Sequence, residues 1–217
     1  MIQNRRQQVA NRRAKKKIGK LWPIYSQLAQ ELEVKLPATP SRPRTIGCSA
    51  MSRGDGASTV ASNLAASIAM ISREPVLFIN ATESRPKNGL FGVTANEGLE
   101  QLLDFSTEFA DVIVPTRIEN VDYLGNGLRS REQFSPHIIS KFPEIIEQVR
   151  QKYSTVIVDL PSQDRPTSSS PLVSKVDGLV LVIQPKKIKT TDARRVRDAL
   201  ERSGVNVLGA VMNRHKN

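Results

Sequence analysis

Three short apolar runs constrain this chain more than any other feature: PVLFIN at 75–80, TVIVDL at 155–160 and GLVLVI at 178–183. Each is dominated by aliphatic and β-branched side chains without polar alternation, the pattern of a strand covered on both faces. Between them lie stretches with a helical period. Residues 58–71 set Val60, Leu64, Ala65, Ile68 and Ile71 at helical spacing and read as an amphipathic helix. Residues 97–104 and 190–203 read as helical, and 135–153 contain a long helix. Further strands are expected over 45–50, 121–124 and 205–212. Strands alternating with helices predict an α/β fold, a mostly parallel, doubly wound sheet with helices on both sides. Ligands of such sheets sit at the carboxyl ends of the strands.

The front of the chain has a different composition. The 217 residues carry a formal charge of +11. Residues 1–20 hold Arg5, Arg6, Arg12, Arg13, Lys15, Lys16, Lys17 and Lys20 and no acid, so most of the excess is a basic N-terminal arm. Residues 21–36 place Leu21, Ile24, Leu28 and Leu32 at helical spacing, with Pro23 suited to a first turn. PATPSRPR at 37–44 reads as a linker. The expected organisation is an arm, helix and linker over 1–43 and a folded domain over 44–217.

Several classes are excluded. Hydrophobic content of 39% is too high for a disordered chain. No run of apolar residues is long enough to span a bilayer, and no apolar core follows the first charges as in a secretory signal. An Arg-rich, acid-poor start also fits a mitochondrial presequence. The single cysteine, Cys48, excludes an internal disulfide and a cysteine zinc site, and reads as a small buried hydrophobe on a strand. His137 and His215 have no partner at metal-ligand spacing.

The first strand of the domain runs into SAMSRGDGASTVASNLA at 49–65. Strand, Gly-rich turn, hydroxyl pair and helix are the layout of a phosphate-binding loop. Gly54 and Gly56 let backbone N–H groups turn inward around an anion. Ser58 stands where a hydroxyl binds Mg²⁺, and Thr59 where one donates to an inner phosphate. Arg53 is a candidate substitute cation, and Asp55 lies between the two glycines. Against G-x-x-x-x-G-K-[ST], Met51 takes the place of the first glycine and Ala57 that of the lysine. The plainer reading of 54–56 is a tight turn before a helix.

Later segments come in a matching order: VLFINATESRP, Glu97-Gly98-Leu99, Tyr123-Leu124 with Gly125 and Gly127, YSTVIVDLP at 153–161, Val176-Asp177-Gly178, and GVNVLGAVMNR at 204–214. With the loop, this series resembles the P-loop NTPase-type ATPase domain of bacterial tyrosine kinases of the capsule and exopolysaccharide family, relatives of the deviant Walker A ATPases that position septa and partition plasmids. The resemblance spans 44–214. It implies that Asp159 holds Mg²⁺ through water, its plainer reading being a strand-end aspartate capping nearby backbone groups, and that Asn213 faces a purine base with Arg214 beside it. The ligand implied is ATP or ADP with Mg²⁺, and a pocket without any cofactor stays open beside it.

The departures fall on the chemistry. The family's two aspartates after the second strand correspond to Asn80 and Thr82, which cannot accept a proton as a carboxylate does. The family's loop lysine is Ala57, and its first arginine after those aspartates is Ser84, with Arg85 and Pro86 kept. The terminal tyrosine cluster is absent, and the helix before the first strand lacks the arginine of the family's ring-forming motif. The resulting expectation is a catalytically inactive family member. It would act as a cytoplasmic binding or regulatory module, peripheral to the inner face of a bacterial membrane, with the cytoplasmic part of a polysaccharide copolymerase as partner. Two alternatives stay open: an active nucleotide switch using Arg53 as its cation, and a partitioning-type protein associated with nucleic acid. For residues 5–20, an anionic membrane surface, a solvated tail and nonspecific nucleic-acid contact are all compatible with the charge.

Overall fold

A computed structural model describes residues 2–39, 41–82, 90–93, 97–103, 107–128, 134, 136–164, 172–185 and 190–213. Seven strands form one sheet: β1 (Arg44–Ala50), β2 (Val76–Asn80), β3 (Ile113–Pro115), β4 (Val121–Leu124), β5 (Thr155–Leu160), β6 (Gly178–Ile183) and β7 (Val207–Met212). Their order is β3-β4-β2-β5-β1-β6-β7. All neighbours are parallel except β3 against β4. The helices are α1 (Ile2–Lys35), α2 (Ala57–Ser72), α3 (Phe109–Val112), α4 (Pro136–Arg150) and α5 (Thr190–Arg202), with a 3-10 turn at Leu99–Leu103.

The three apolar runs are interior strands of the sheet, and successive residues alternate between two cores as a pleat requires. Val156, Val158, Leu179 and Leu181 join α4 residues Phe142, Ile145 and Ile146 on one side. Ile46, Ile157 and Val180 join α2 and α1 on the other. α2 differs from its expected amphipathic form. Ala57, Val60, Ala61, Leu64, Ala65, Ala66, Ile68 and Ala69 are all buried, around most of its circumference. The sheet covers one side and α1 the other, and the small alanines permit both close approaches.

α1 is the main correction. The arm and the helix expected at 21–36 are one continuous helix, and Pro23 lies inside it rather than in its first turn. A stretch of Ala, Gln, Arg and Lys has high intrinsic helix propensity, a signal that apolar periodicity does not register. Tyr25, Ala29 and Leu32 are buried against the domain. The end of α1 is clamped from β1. The guanidinium of Arg44, 3% exposed, donates to the carbonyls of Leu32 and Leu36 and pairs with Glu33 at 2.8 Å. Lys35 Nζ donates to the Leu208 carbonyl on β7 at 2.6 Å.

Smaller corrections follow chain geometry. The expected helix at 97–104 is the 3-10 turn, and the strand at 205–212 starts at Val207. The short α3–β3 segment forming the antiparallel edge had no periodic signature.

Candidate phosphate-loop site

The carboxyl ends of β1, β2 and β5 lie side by side because β5 separates β1 from β2 in the sheet. Cys48 on β1 and Asn80 on β2 are both register partners of Asp159. The loop after β1, the Asn80–Thr82 segment and Asp159 therefore converge. Cys48 is fully buried on its strand, and burial pushes its thiol far above its ordinary pKa, so it is chemically inert.

The loop has the backbone shape its glycines imply. Gly54 and Gly56 have φ of 89° and 96°, a region L-residues rarely adopt. A Cβ on Gly56 would fall on the side-chain nitrogen of Asn213. That nitrogen donates to the Asp55 carbonyl at 2.8 Å, so the segment after β7 latches the loop. Asp55 is fully buried. Its carboxylate accepts the Ser52 amide at 3.1 Å, which makes it a strut inside the loop. Gly56 is the N-cap of α2 and gives no side-chain cap, so the first-turn amides of α2 retain the character of an anion site. Thr59 is exposed in that turn.

Ala57 is buried in one apolar cluster with Tyr25 of α1, Ala50, Val60 and Val182. The position of the family's lysine is thus part of a packed contact between α1 and α2. Arg53 is exposed, and its amide donates to the Asp164 carboxylate at 3.0 Å. Asp164 also accepts the Ser162 hydroxyl at 2.6 Å. Asp164 went unnoticed in the sequence. An acid five residues beyond a strand-end aspartate was the available signal. It brings negative charge to the loop, where a phosphate site needs the opposite sign. Gln163 holds this segment against β1, its amide on the Ala50 carbonyl and its side chain on the Ser49 hydroxyl, both at 2.8 Å.

Ser58 and Asp159 do meet. The Ser58 hydroxyl bonds the Asp159 carboxyl, while burial raises that carboxyl to about 7, the serine contact opposing the rise. The Asp159 Oδ1 atom is buried with no hydrogen-bond partner. A hard oxygen pair with an unsatisfied buried lone pair fits Mg²⁺ held partly through water. Asn80 and Thr82 satisfy each other: Asn80 Oδ1 accepts the Thr82 amide at 3.1 Å and the Thr82 hydroxyl at 2.8 Å. Asn126, 3% exposed, ties the Thr82 carbonyl from β4's end at 2.8 Å. Arg214, like Ser84, Arg85 and Pro86, lies outside the described residues. Among the described residues, the positive-φ glycine loop, the N-terminus of α2, Ser58 and Asp159 come together at one end of the sheet. Position 57 is an alanine, and positions 80 and 82 are an amide and a hydroxyl.

No protein-family model matches the chain. It is 24% identical over 172 residues to the tyrosine-protein kinase CpsD of Streptococcus agalactiae, covering 79% of this chain and 75% of that protein. Among solved structures, the kinase domain of the Escherichia coli tyrosine kinase ETK superposes with a TM-score of 0.71 and 25% identity, over 86% of this chain and 74% of that one. The septum site-determining protein MinD of Pyrococcus horikoshii, complexed with Mg-ADP, superposes with a TM-score of 0.64 and 25% identity, over 80% and 71%. The mostly parallel seven-stranded sheet with its helices is an α/β fold that matches MinD-like P-loop NTPases.

Proposed function

Starting from the premise that this chain is a homologue of the bacterial capsular tyrosine kinases within the P-loop ATPase family, we propose that it is a catalytically silent member, kept as a binding or regulatory module of polysaccharide synthesis or export. The observation that carries this reading is the Asn80–Thr82 pair. Where the resemblance puts two carboxylates, an amide and a hydroxyl close a hydrogen-bonded turn, and neither can take a proton from an attacking hydroxyl or water. Two further facts support it. Ala57 offers a methyl group where charge on the transferring phosphate needs a cation. The chain's three tyrosines, Tyr25, Tyr123 and Tyr153, are all buried, so none is presented as a phosphate acceptor.

When bound, Mg²⁺ and nucleotide would supply phosphate charge and its neutralisation. Ser58 and Asp159 would hold the ion, the α2 N-terminus and the Gly54–Gly56 backbone would orient phosphates, and Asn213 would brace the loop. Binding without turnover suits a module whose shape reports nucleotide to a partner. The partner proposed from the family is the cytoplasmic part of a membrane polysaccharide copolymerase. Among the described residues no helix is long and apolar enough to cross a membrane, so membrane proximity would come through such a partner or through α1.

Calorimetry with ATP and ADP, with and without Mg²⁺, and a parallel hydrolysis and autophosphorylation assay test the reading. The expected result is weak Mg²⁺-dependent binding with no turnover. ATP turnover that disappears in Asp159→Ala would overturn it and establish the second reading, an active nucleotide switch, which the Ser58–Asp159 contact favours.

A further inference from the structure

One amide of the phosphate loop already carries an anion of the chain's own. The Arg53 N–H donates to one carboxylate oxygen of Asp164 at 3.0 Å, and the other oxygen accepts the Ser162 hydroxyl at 2.6 Å. The segment that presents this acid is fixed to the strand that enters the loop. Beside it, the Gln163 amide donates to the Ala50 carbonyl and the Gln163 side chain to the Ser49 hydroxyl, both at 2.8 Å. The Ser49 hydroxyl in turn donates to the Pro161 carbonyl at 2.5 Å. Two neighbouring loop amides are also taken from within: that of Ser52 by the Asp55 carboxylate and that of Asp55 by the Ser52 carbonyl, each at 3.1 Å. The amides of Ala57 and Ser58 are different, because they open α2 and have no acceptor in its own turns. The loop therefore offers donors at its helix end and is filled by the chain's own oxygens at its strand end.

We propose that Asp164 sets the class of ligand: it stands where the outermost phosphate would lie, and the site takes a nucleoside diphosphate in preference to a triphosphate. The inference rests on reading the loop as a nucleotide site. Ser58 and Thr59, at the start of α2, are the hydroxyls assigned to Mg²⁺ and to an inner phosphate, so the loop followed back toward Arg53 and β1 runs outward along the phosphate chain. A terminal phosphate at the Arg53 amide would have to displace a charged acceptor and then remain beside it, and like charges in contact repel. The loop has little to offset this. Arg53 is the only basic residue in 49–65, and Asp55 and Asp164 both oppose its charge. A diphosphate avoids the conflict, since it needs only the donors at the helix end. Asp164 is exposed, so replacing it changes what the ligand meets without opening a core.

Titration calorimetry of the full chain with ADP and with ATP, each in the presence of Mg²⁺, is compared for the parent, Asp164→Asn, Asp164→Ala and Ser162→Ala. The parent should bind ADP about tenfold or more tightly than ATP, the scale of one charge-assisted contact. Both Asp164 variants should bring the two affinities to within about threefold of each other, by tightening ATP and leaving ADP nearly as it was. Ser162→Ala keeps the carboxylate and should keep the parental preference. Thermal unfolding of each variant checks that the fold is kept. ATP bound by the parent as tightly as ADP, or a preference that survives in Asp164→Ala, overturns the proposal and leaves the nucleotide reading standing. Failure of both nucleotides to bind either the parent or Asp164→Ala overturns the two together.

Discussion

Asn80 and Thr82 hold each other: one side-chain oxygen of Asn80 receives both the amide and the hydroxyl of Thr82. Asn80 is also the register neighbour of Asp159, and both are nearly fully buried. Asn80→Asp would place a second carboxylate beside one that burial already disfavours as an anion. It would also set an acid against the Thr82 turn. The expected outcome is a loss of about 1–3 kcal/mol at mildly alkaline pH, read from the urea midpoint, with added Mg²⁺ recovering much of it. Full stability without Mg²⁺ would show that the pair is not closely coupled to Asp159.

Ala57→Lys alone should not create a kinase. The methyl group is packed with Tyr25 and Val182, so the longer side chain must leave that cluster to reach a phosphate, and no carboxylate base awaits at 80 or 82. Calorimetry should show at most tighter ATP binding, by about 1.5–3 kcal/mol for a charge-assisted contact. Phosphoryl transfer in this single variant would show that the missing carboxylates are dispensable.

Gly56→Ala meets two obstacles, a φ of 96° and the side-chain nitrogen of Asn213 at the Cβ position. Strain at such a backbone costs about 1–3 kcal/mol. The expected variant is destabilised by that order, and adding Asn213→Ala relieves the collision but not the backbone strain. Thermal unfolding of the single and double variants distinguishes the two contributions. Complete rescue would mean that the loop can change its backbone shape.

The central strands were readable because a run such as TVIVDL has few alternatives once it must be buried on both faces, and β5 occupies the expected residues 155–160. The loop was readable because glycine positions are conformational demands, met here at Gly54 and Gly56. What the sequence concealed depended on packing between distant segments. That Ala57 shares a buried cluster with Tyr25, that Asp55 turns inward to Ser52, and that Asp164 reaches the Arg53 amide are consequences of tertiary placement. The arm's helix was hidden differently: its propensity is spread over Ala, Gln, Arg and Lys rather than marked by apolar spacing.

Arg44 makes the junction between α1 and the sheet dependent on one buried cation. Its guanidinium satisfies carbonyls of Leu32 and Leu36 at the helix end and pairs with the more exposed Glu33. Arg44→Met keeps the volume and removes those donors from buried acceptors. A loss of about 2–4 kcal/mol is expected, with α1 amides losing hydrogen-exchange protection before those of β5. Glu33→Gln, which leaves the carbonyl contacts intact, should cost under about 1 kcal/mol. Equal costs for the two variants would place the stabilisation in the ion pair instead.

Asp159 gives the fold a pH dependence of unusual sign. Its carboxyl is raised from 3.8 to about 7 by burial, against the opposing Ser58 contact. Between those values the folded state binds a proton that the unfolded state has released, so stability contributed by this group falls as pH rises, by at most about 1.4 kcal/mol per pH unit. The contribution is fully present below the unfolded value and is gone above about 7. Other carboxylates impose their own trends, so the quantity to measure is the stability difference between the parent and Asp159→Asn across this range. The parent should lose ground to the variant steadily from acid to neutral pH and hold a constant difference above it. Saturating Mg²⁺ should lower the pH at which the difference levels off, because a cation at Ser58 and Asp159 favours the ionised carboxylate. A difference that stays flat from acid to neutral pH would mean that Asp159 is already ionised in the folded chain, as a solvated strand-end aspartate would be.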